Sequence, residues 1–246
     1  AQNLLNGVQH LHEDLTDGRL AIRMTSKEAF TVGQNLAASP GHVVFENELM
    51  QLIEYTPVTE SVYTVPLLLI PAWINKFYIF DLSEDNSLVK WLTNQGYRVF
   101  VISWVNPDAS LAKKGFEDYM QLGPIAASRF IQKATQSQKV NMVGYCLGGT
   151  LLATMLAYLH AHNQADIVAS ATYLTTMVDF EEAGDLSVFI DDAQLEQMEM
   201  RMYEKGYLEG HEMANTFNML RANELIWSFV VNNYLLGKEP FQFDLL

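Results

Sequence analysis

The 246-residue sequence contains one cysteine, Cys146. No disulfide can form within the chain, and its only thiol is left free for chemistry, which fits a reducing compartment and points to the cytoplasm. Positive charge is also scarce: 15 Lys and Arg stand against 29 Asp and Glu, a formal net charge of -14. Nucleic-acid binding draws on clustered Lys and Arg to release counterions, so no nucleic-acid partner is expected. No apolar run approaches the roughly 18 residues that a membrane-crossing helix needs, and the chain reads as soluble without a span. Internal repeats and low-complexity tracts are missing as well. The opening Ala1-Gln2-Asn3-Leu4-Leu5 has neither an initiator Met nor the regions of a secretory signal, so the start reads as an excision from something longer. What is present is 49% apolar residues, enough at this length for one large α/β domain or two small ones.

From about Pro66 onward, short apolar runs rich in β-branched residues alternate with segments of helical period, which predicts βαβ units and a parallel sheet. Strands are expected at residues 67–70, 98–104, 140–143 and 167–174. A helix from Ser87 should stop at Gly96, a second should run from Gly115 to Thr135 with a kink at Pro124, and another should cover residues 151–160. Residues 63–177 are therefore read as the first part of a wound core. Residues 1–62 read as a leading wrap, an amphipathic helix carrying Leu4, Leu5, Val8, Leu11 and Leu15 followed by irregular structure and a short strand or two. Residues 178–246 read as an inserted helical cap: through Glu212 they hold eleven acidic and two basic residues, and six of the eleven methionines lie between Met177 and Met219.

One motif carries chemistry. Val143-Gly144-Tyr145-Cys146-Leu147-Gly148-Gly149-Thr150 ends an apolar strand and opens a helix, the pattern of a nucleophile elbow with Cys in place of Ser. Gly144 and Gly148 remove β-carbons that a sharp strand-to-helix bend would crowd, and Cys146 takes the strained apex. The following helix start favours thiolate over thiol, and the amide of Leu147 is placed to donate to an oxyanion. The plain alternative is a tight turn with a buried, inert cysteine. A dinucleotide-binding turn fits less well, because the spacing is G-x-x-x-G-G and not G-x-G-x-x-G.

A second segment, Pro71-Ala72-Trp73-Ile74-Asn75-Lys76-Phe77-Tyr78-Ile79-Phe80-Asp81-Leu82, follows the first core strand, where hydrolases of this fold place the loop with the other oxyanion amide. With the box around Cys146, its wording resembles the polyhydroxyalkanoate synthase family. Val101-Ile102-Ser103-Trp104-Val105-Asn106-Pro107-Asp108 is similar to the same family, as are residues 39–47, 214–217 and 220–225. The likeness covers nearly the whole chain. It implies an α/β-hydrolase-like fold, incomplete at the C-terminus, and a Cys146 that carries the growing polyester as a thioester. It further implies an acyltransferase that moves (R)-3-hydroxyacyl groups from coenzyme A onto a polyester chain. Coenzyme A is then a leaving group, and no cofactor is expected. The leading segment is most similar to the class I type, which acts on short-chain (3-hydroxybutyryl) substrates, pairs as a homodimer and works at the polymer granule surface.

The resemblance also places a catalytic Asp and His beyond Phe243-Asp244-Leu245-Leu246, so this stretch alone is expected to show no turnover. The sequence offers no replacement base. His160 and His162 close the helix after the elbow, His10, His12 and His42 lie in the wrap, and His211 lies in the cap. Asp81, with Ser87 six residues on, is expected either to support the Cys146 site or to be an ordinary loop acid; Asp108 suits a turn. Glu181-Glu182 and Asp191-Asp192 have no His or Cys at ligand spacing, and no metal is expected. The cap methionines read as packed core or as a pliable lid surface. Coenzyme A phosphates need a local basic spot, which the sequence does not locate. Two other readings stand beside the acyltransferase: a Cys-dependent esterase of the same fold, and a non-catalytic module displaying the elbow without a base.

Overall fold

The computed structural model describes residues 2–15, 22–25, 29–184, 187 and 191–239. Among the described residues six strands form the central sheet: β1 (Gly41–Glu46), β2 (Met50–Tyr55), β3 (Leu67–Ile70), β6 (Val99–Trp104), β7 (Val140–Tyr145) and β8 (Val168–Leu174). Between β3 and β6 lies a small separate ladder of β4 (Asp81–Ser83) and β5 (Asn86–Ser87). The sheet order is β1-β2-β6-β3-β7-β8. From β6 through β3 and β7 to β8 the pairing is parallel, while β1 and β2 add to the β6 edge in antiparallel register.

The four strands read from the sequence are therefore present, and the apolar runs of the inner strands β3 and β6 have a physical cause, while β8 at the edge stays half-buried or exposed. Where helices cover both faces of a parallel sheet, neither side of an inner strand meets water. All four residues of β3 are buried. Alternation assigns them to two cores. Leu68 and Ile70 pack with Phe100, Ile102 and Met142 against Ile131, Leu151 and Met155, which belong to α4 (Ala126–Thr135) and α5 (Leu147–Ala161). Leu67 and Leu69 pack with Val99 and Val101 against Phe80 and against Val89 and Leu92 of α2 (Leu88–Asn94).

Local signals set the helix ends. The Ser87 hydroxyl accepts from Lys90 N–H at the start of α2, and Gly96, at φ +85°, takes the left-handed position just past its end. The long helix expected over residues 115–135 divides into α3 (Phe116–Met120), a π-helical turn at Gln121–Ile125 and α4. Pro124 lies inside the turn and Gly123 departs from helical geometry. The glycine is required there: a β-carbon on Gly123 would lie 2.3 Å from the Trp104 ring.

The leading segment differs from its sequence reading in two ways. Its strands are not a separate wrap, for β2 pairs along β6 from Met50↔Trp104 to Glu54↔Phe100 and so extends the main sheet. Its helix α1 (Gln2–Asp14) forms as expected but packs by a face about a quarter turn away from that stripe, burying Gly7, His10 and Asp14 and half-burying Leu11. Leu4, Leu5 and Val8 stay 67%, 64% and 59% exposed. The partner of α1 is the π-helical stretch Val230–Leu235, not the sheet. Gly7 lets the two backbones meet, since a β-carbon there would lie 1.9 Å from the Tyr234 carbonyl oxygen. Tyr234 donates its hydroxyl to Asp14 at 2.7 Å, and His10 Nδ1 donates to the Asn233 carbonyl at 3.1 Å. Polar bonds and close backbone approach thus win over the leucine stripe.

After β8 the described residues run without regular structure through 183, and from Asp192 they form α6 (Asp192–Lys205), α7 (Gly210–Leu220) and π-helical turns at Asn223–Trp227 and Val230–Leu235. The Asp191 carboxylate accepts from Gln194 N–H to begin α6, and Gly206 ends it at φ +84°. Phe243-Asp244-Leu245-Leu246, read as the point where the family continues, lies outside the described residues. Among the described residues no helix is long and apolar enough to cross a membrane.

Candidate active site

β7 ends at Tyr145 and α5 begins at Leu147, with Cys146 alone between them. Its backbone takes φ 53° and ψ −126°, a conformation that costs a non-glycine residue about 1–3 kcal/mol and persists only when its surroundings over-determine it. Those surroundings are visible. Cys146 N–H donates to the Leu174 carbonyl at 3.0 Å, and the Cys146 carbonyl accepts from Gly149 N–H at 2.9 Å and Thr150 N–H at 3.3 Å. The cysteine is half-buried and forms no disulfide.

Three glycines let the bend close. A β-carbon on Gly144 would lie 2.4 Å from the Gly149 α-carbon, and one on Gly148 would lie 2.1 Å from the Ile70 carbonyl oxygen. Gly149, which the sequence reading passed over, is equally constrained: its β-carbon would lie 1.9 Å from Thr176 Oγ1. Thr176 and its neighbours follow β8 and pack back onto the elbow, where Thr150 Oγ1 donates to the Met177 carbonyl at 2.7 Å. The repeated glycine after Leu147 was the available signal. What it makes room for comes from a distant strand end.

The Leu147 N–H is the first amide of α5, a position whose donor has no acceptor within its own helix. The start of the loop after β3 lies beside this helix start, because β3 pairs with β7 through Ile70↔Gly144 and Pro71 lies against Gly148. Ile74 sits half-buried in the turn closed by Asn75 N–H on the Ala72 carbonyl, at 2.9 Å. The loop is held by aromatic packing that sequence reading did not single out. Trp104 Nε1 donates to the Pro71 carbonyl at 2.8 Å, and Trp73 packs edge-on against Phe116 at 5.8 Å between ring centroids.

Asp81 is 2% exposed, and its carboxylate accepts from Ser39 N–H at 3.0 Å, Ser39 Oγ at 2.7 Å and Ser87 Oγ at 2.5 Å. It therefore pins residues 37–39 to the β4–β5 ladder, and its side-chain partners do not include Cys146. Its link to the elbow is indirect, through the adjacent Phe80, whose ring lies edge-on to Tyr145 at 5.7 Å. A cavity of about 590 Å³ opens beside Asp81, lined by Ser39, Tyr55, Lys90 and Thr93. Since β2 runs antiparallel to β6, Tyr55 marks the sheet edge opposite Cys146. Burial, and then the charge of Asp81, push the Tyr55 hydroxyl well above its ordinary range.

Among the described residues no histidine is bonded to Cys146. His10 is buried in the α1 joint, and His162 bonds the Tyr158 carbonyl while stacking on its ring. His211 has a side chain outside the described set. Asp108 caps a short 3₁₀ turn by accepting from Ser110 N–H, as a turn acid would. No group of three or more His, Cys, Asp or Glu among the described residues could hold a metal ion.

A mostly parallel sheet flanked by helices, with a lone residue at positive φ between a strand and the helix after it, defines the class: the chain belongs to the α/β hydrolase fold family. Residues 65–246 match that family's profile, described as "alpha/beta hydrolase fold". Residues 1–92 match a second profile, "Poly-beta-hydroxybutyrate polymerase (PhaC) N-terminus". The particular family within that class is the poly(3-hydroxyalkanoate) polymerases. The chain is 54% identical over 246 residues to the poly(3-hydroxyalkanoate) polymerase of Methylorubrum extorquens, covering 99% of this chain and 40% of that protein. With the poly(3-hydroxyalkanoate) polymerase subunit PhaC of Rhizobium meliloti the identity is 50%, covering 99% and 40%. Among solved structures, a carboxyl esterase from Bacillus coagulans aligns at 13% identity and TM-score 0.43, covering 68% of this chain and 50% of that one. The chain thus spans about two fifths of the length of the curated relatives it matches.

Proposed function

We propose that this chain carries the nucleophile half of an acyltransferase that polymerises (R)-3-hydroxyacyl groups, of the 3-hydroxybutyryl type, from coenzyme A thioesters. The observation that supports this reading most is Cys146 at φ 53° between β7 and α5, in a chain similar from end to end to polyhydroxyalkanoate polymerases. The Cys146 sulfur attacks the thioester carbonyl, and the Leu147 and Ile74 amides receive the charge that develops on its oxygen. The carbon–sulfur bond to coenzyme A breaks, and the departing thiolate takes the proton that Cys146 gave up. A hydroxyl of a second hydroxyacyl unit then attacks the Cys146 thioester, forming an oxygen ester and returning the cysteine.

Sulfur suits this sequence. Replacing one thioester by another is nearly balanced in free energy, while passing the acyl group to a hydroxyl is downhill. A serine at position 146 would fall to an oxygen ester in the first step and lose the drive for the second. Asp81 belongs to this site as a positioning residue: through Phe80 and Tyr145 it steadies the approach to the elbow. The reading includes a homodimer working at the polymer granule surface in the cytoplasm, with coenzyme A as leaving group and no resident cofactor.

The experiment is polymer synthesis from 3-hydroxybutyryl-CoA by the protein at its natural length, with and without Cys146→Ala. Loss of polymer together with loss of the acyl-protein adduct is expected. Polymer formation undiminished in the variant would overturn the proposal.

A further inference from the structure

A chain of net charge -14 that takes coenzyme A thioesters must hold phosphate somewhere, so the positions of its cations are informative. Of the thirteen among the described residues, seven are already neutralised. Lys90, Arg98, Lys114, Arg201, Lys205 and Arg221 each pair with a glutamate, and Arg23 pairs with Glu13. Of those with no carboxylate partner among the described residues, Arg129, Lys133 and Lys139 lie on α4 or in the loop that leads into β7. That is the edge where the parallel strands begin, away from Cys146. Lys238 lies beyond the stretch that packs on α1. Lys76 and Lys113 remain, and both stand in loops that leave the carboxyl ends of parallel strands, β3 and β6, on the edge where Cys146 sits.

Lys76 is exposed, and its ammonium donates to Asn106 Oδ1 at 2.6 Å. This bond orients the side chain without neutralising it, because the acceptor is a neutral amide. It also ties the loop after β3 to the loop after β6, and the Trp73–Phe116 contact joins the first of these loops to α3, the helix that follows the second. Three carboxylates near the second loop are turned to other donors, Glu48 to Lys114, Asp108 to Ser110 and Asp118 to Gly115 N–H, while Glu117 is exposed at the start of α3. Lys76 also lies within reach of the chemistry. Pro71, five residues before it, lies against Gly148, and five residues span at most about 17 Å.

We infer that Lys76, held by Asn106, binds the phosphate groups of the coenzyme A thioester while the acyl end reaches Cys146. This rests on the acyl-CoA reading above. Two phosphate sources share this chemistry, the diphosphate bridge and the ribose 3′-phosphate, and three substrates separate them. At natural length, with 3-hydroxybutyryl thioesters of coenzyme A, dephospho-coenzyme A (which lacks the 3′-phosphate) and pantetheine (which lacks every phosphate), Lys76→Ala should lower kcat/KM for coenzyme A about tenfold relative to pantetheine. Lys76→Arg should restore most of that preference, added salt should erode it, and Asn106→Ala should reproduce part of the loss. If dephospho-coenzyme A keeps the preference, the diphosphate is the ligand; if it loses it, the 3′-phosphate is. An unchanged ratio of coenzyme A to pantetheine thioester in Lys76→Ala would overturn the inference while leaving the acyltransferase intact. Failure of both thioesters to acylate Cys146 in the unmodified protein would overturn both.

Discussion

Adding one methyl group at Gly148 tests how closely the elbow is built against the neighbouring loop. The β-carbon of Gly148→Ala would sit 2.1 Å from the Ile70 carbonyl oxygen and 2.7 Å from the Pro71 carbonyl carbon. These are backbone atoms at the end of a strand paired on both sides, so no rotamer change makes room. Relief requires moving the start of α5 away from β3 by about 1 Å, and overpacking of this kind costs about 1–3 kcal/mol. For a chain of this length, 3 kcal/mol lowers Tm by about 6–12 °C. The same movement separates the Leu147 amide from the Pro71–Ile74 loop, and a misplacement of about 1 Å can cost about a hundredfold in rate. Thermal unfolding followed by circular dichroism reads the first effect, and acylation of Cys146 in the natural-length protein reads the second. Gly149→Ala provides a contrast, since its obstacle is the Thr176 side chain; Thr176→Ala should rescue it in part and should not rescue Gly148→Ala. Gly210→Ala, whose β-carbon meets nothing within 4 Å, should leave Tm unchanged or raised. A Gly148→Ala chain as stable as its parent would refute this description of the elbow.

Three further outcomes are expected. Asp81→Ala leaves the Ser39 and Ser87 donors without their buried acceptor and should cost about 2–4 kcal/mol in urea unfolding, with Asp81→Asn losing less. Tyr234 is pushed far above its ordinary value by burial and then by its bond to Asp14. The unfolded chain therefore loses that proton first, so the stabilisation is complete below pH 10 and falls as pH rises beyond it; Tm measured across this alkaline range should fall less steeply in Tyr234→Phe. Asp191 is held below its ordinary value by the Gln194 N–H and side chain, so its stabilisation of α6 is present above the ordinary carboxylate pKa and lost as acid protonates it. Far-UV circular dichroism on acid titration should show less helix lost below that range in Asp191→Ala, which begins with the weaker cap.

The parts of this structure that sequence revealed are those with local causes. The strand runs at residues 67–70, 98–104 and 140–143 are apolar because both faces of a parallel sheet are covered, and Gly96 ends α2 because a left-handed residue is needed there. Gly144 and Gly148 announce the elbow because the bend lies within a few residues. What sequence hid depends on partners far along the chain. β2 joins the sheet through Leu52↔Ile102 and its neighbours, which no turn signal encodes. Leu4, Leu5 and Val8 suggest a core-facing stripe, yet Gly7 and the bonds of His10 and Asp14 set the packed face. The wall that Gly149 meets belongs to Thr176, and the Lys76–Asn106 pair joins loops after two different strands.

The central claim is that Cys146 itself carries the acyl group, and intact-protein mass spectrometry after brief exposure to 3-hydroxybutyryl-CoA tests it most directly. The natural-length protein should gain a hydroxyacyl mass that maps to the peptide holding Cys146, disappears in Cys146→Ala, and grows by further units as substrate is added. An adduct on any other residue, or one that survives Cys146→Ala, would contradict it.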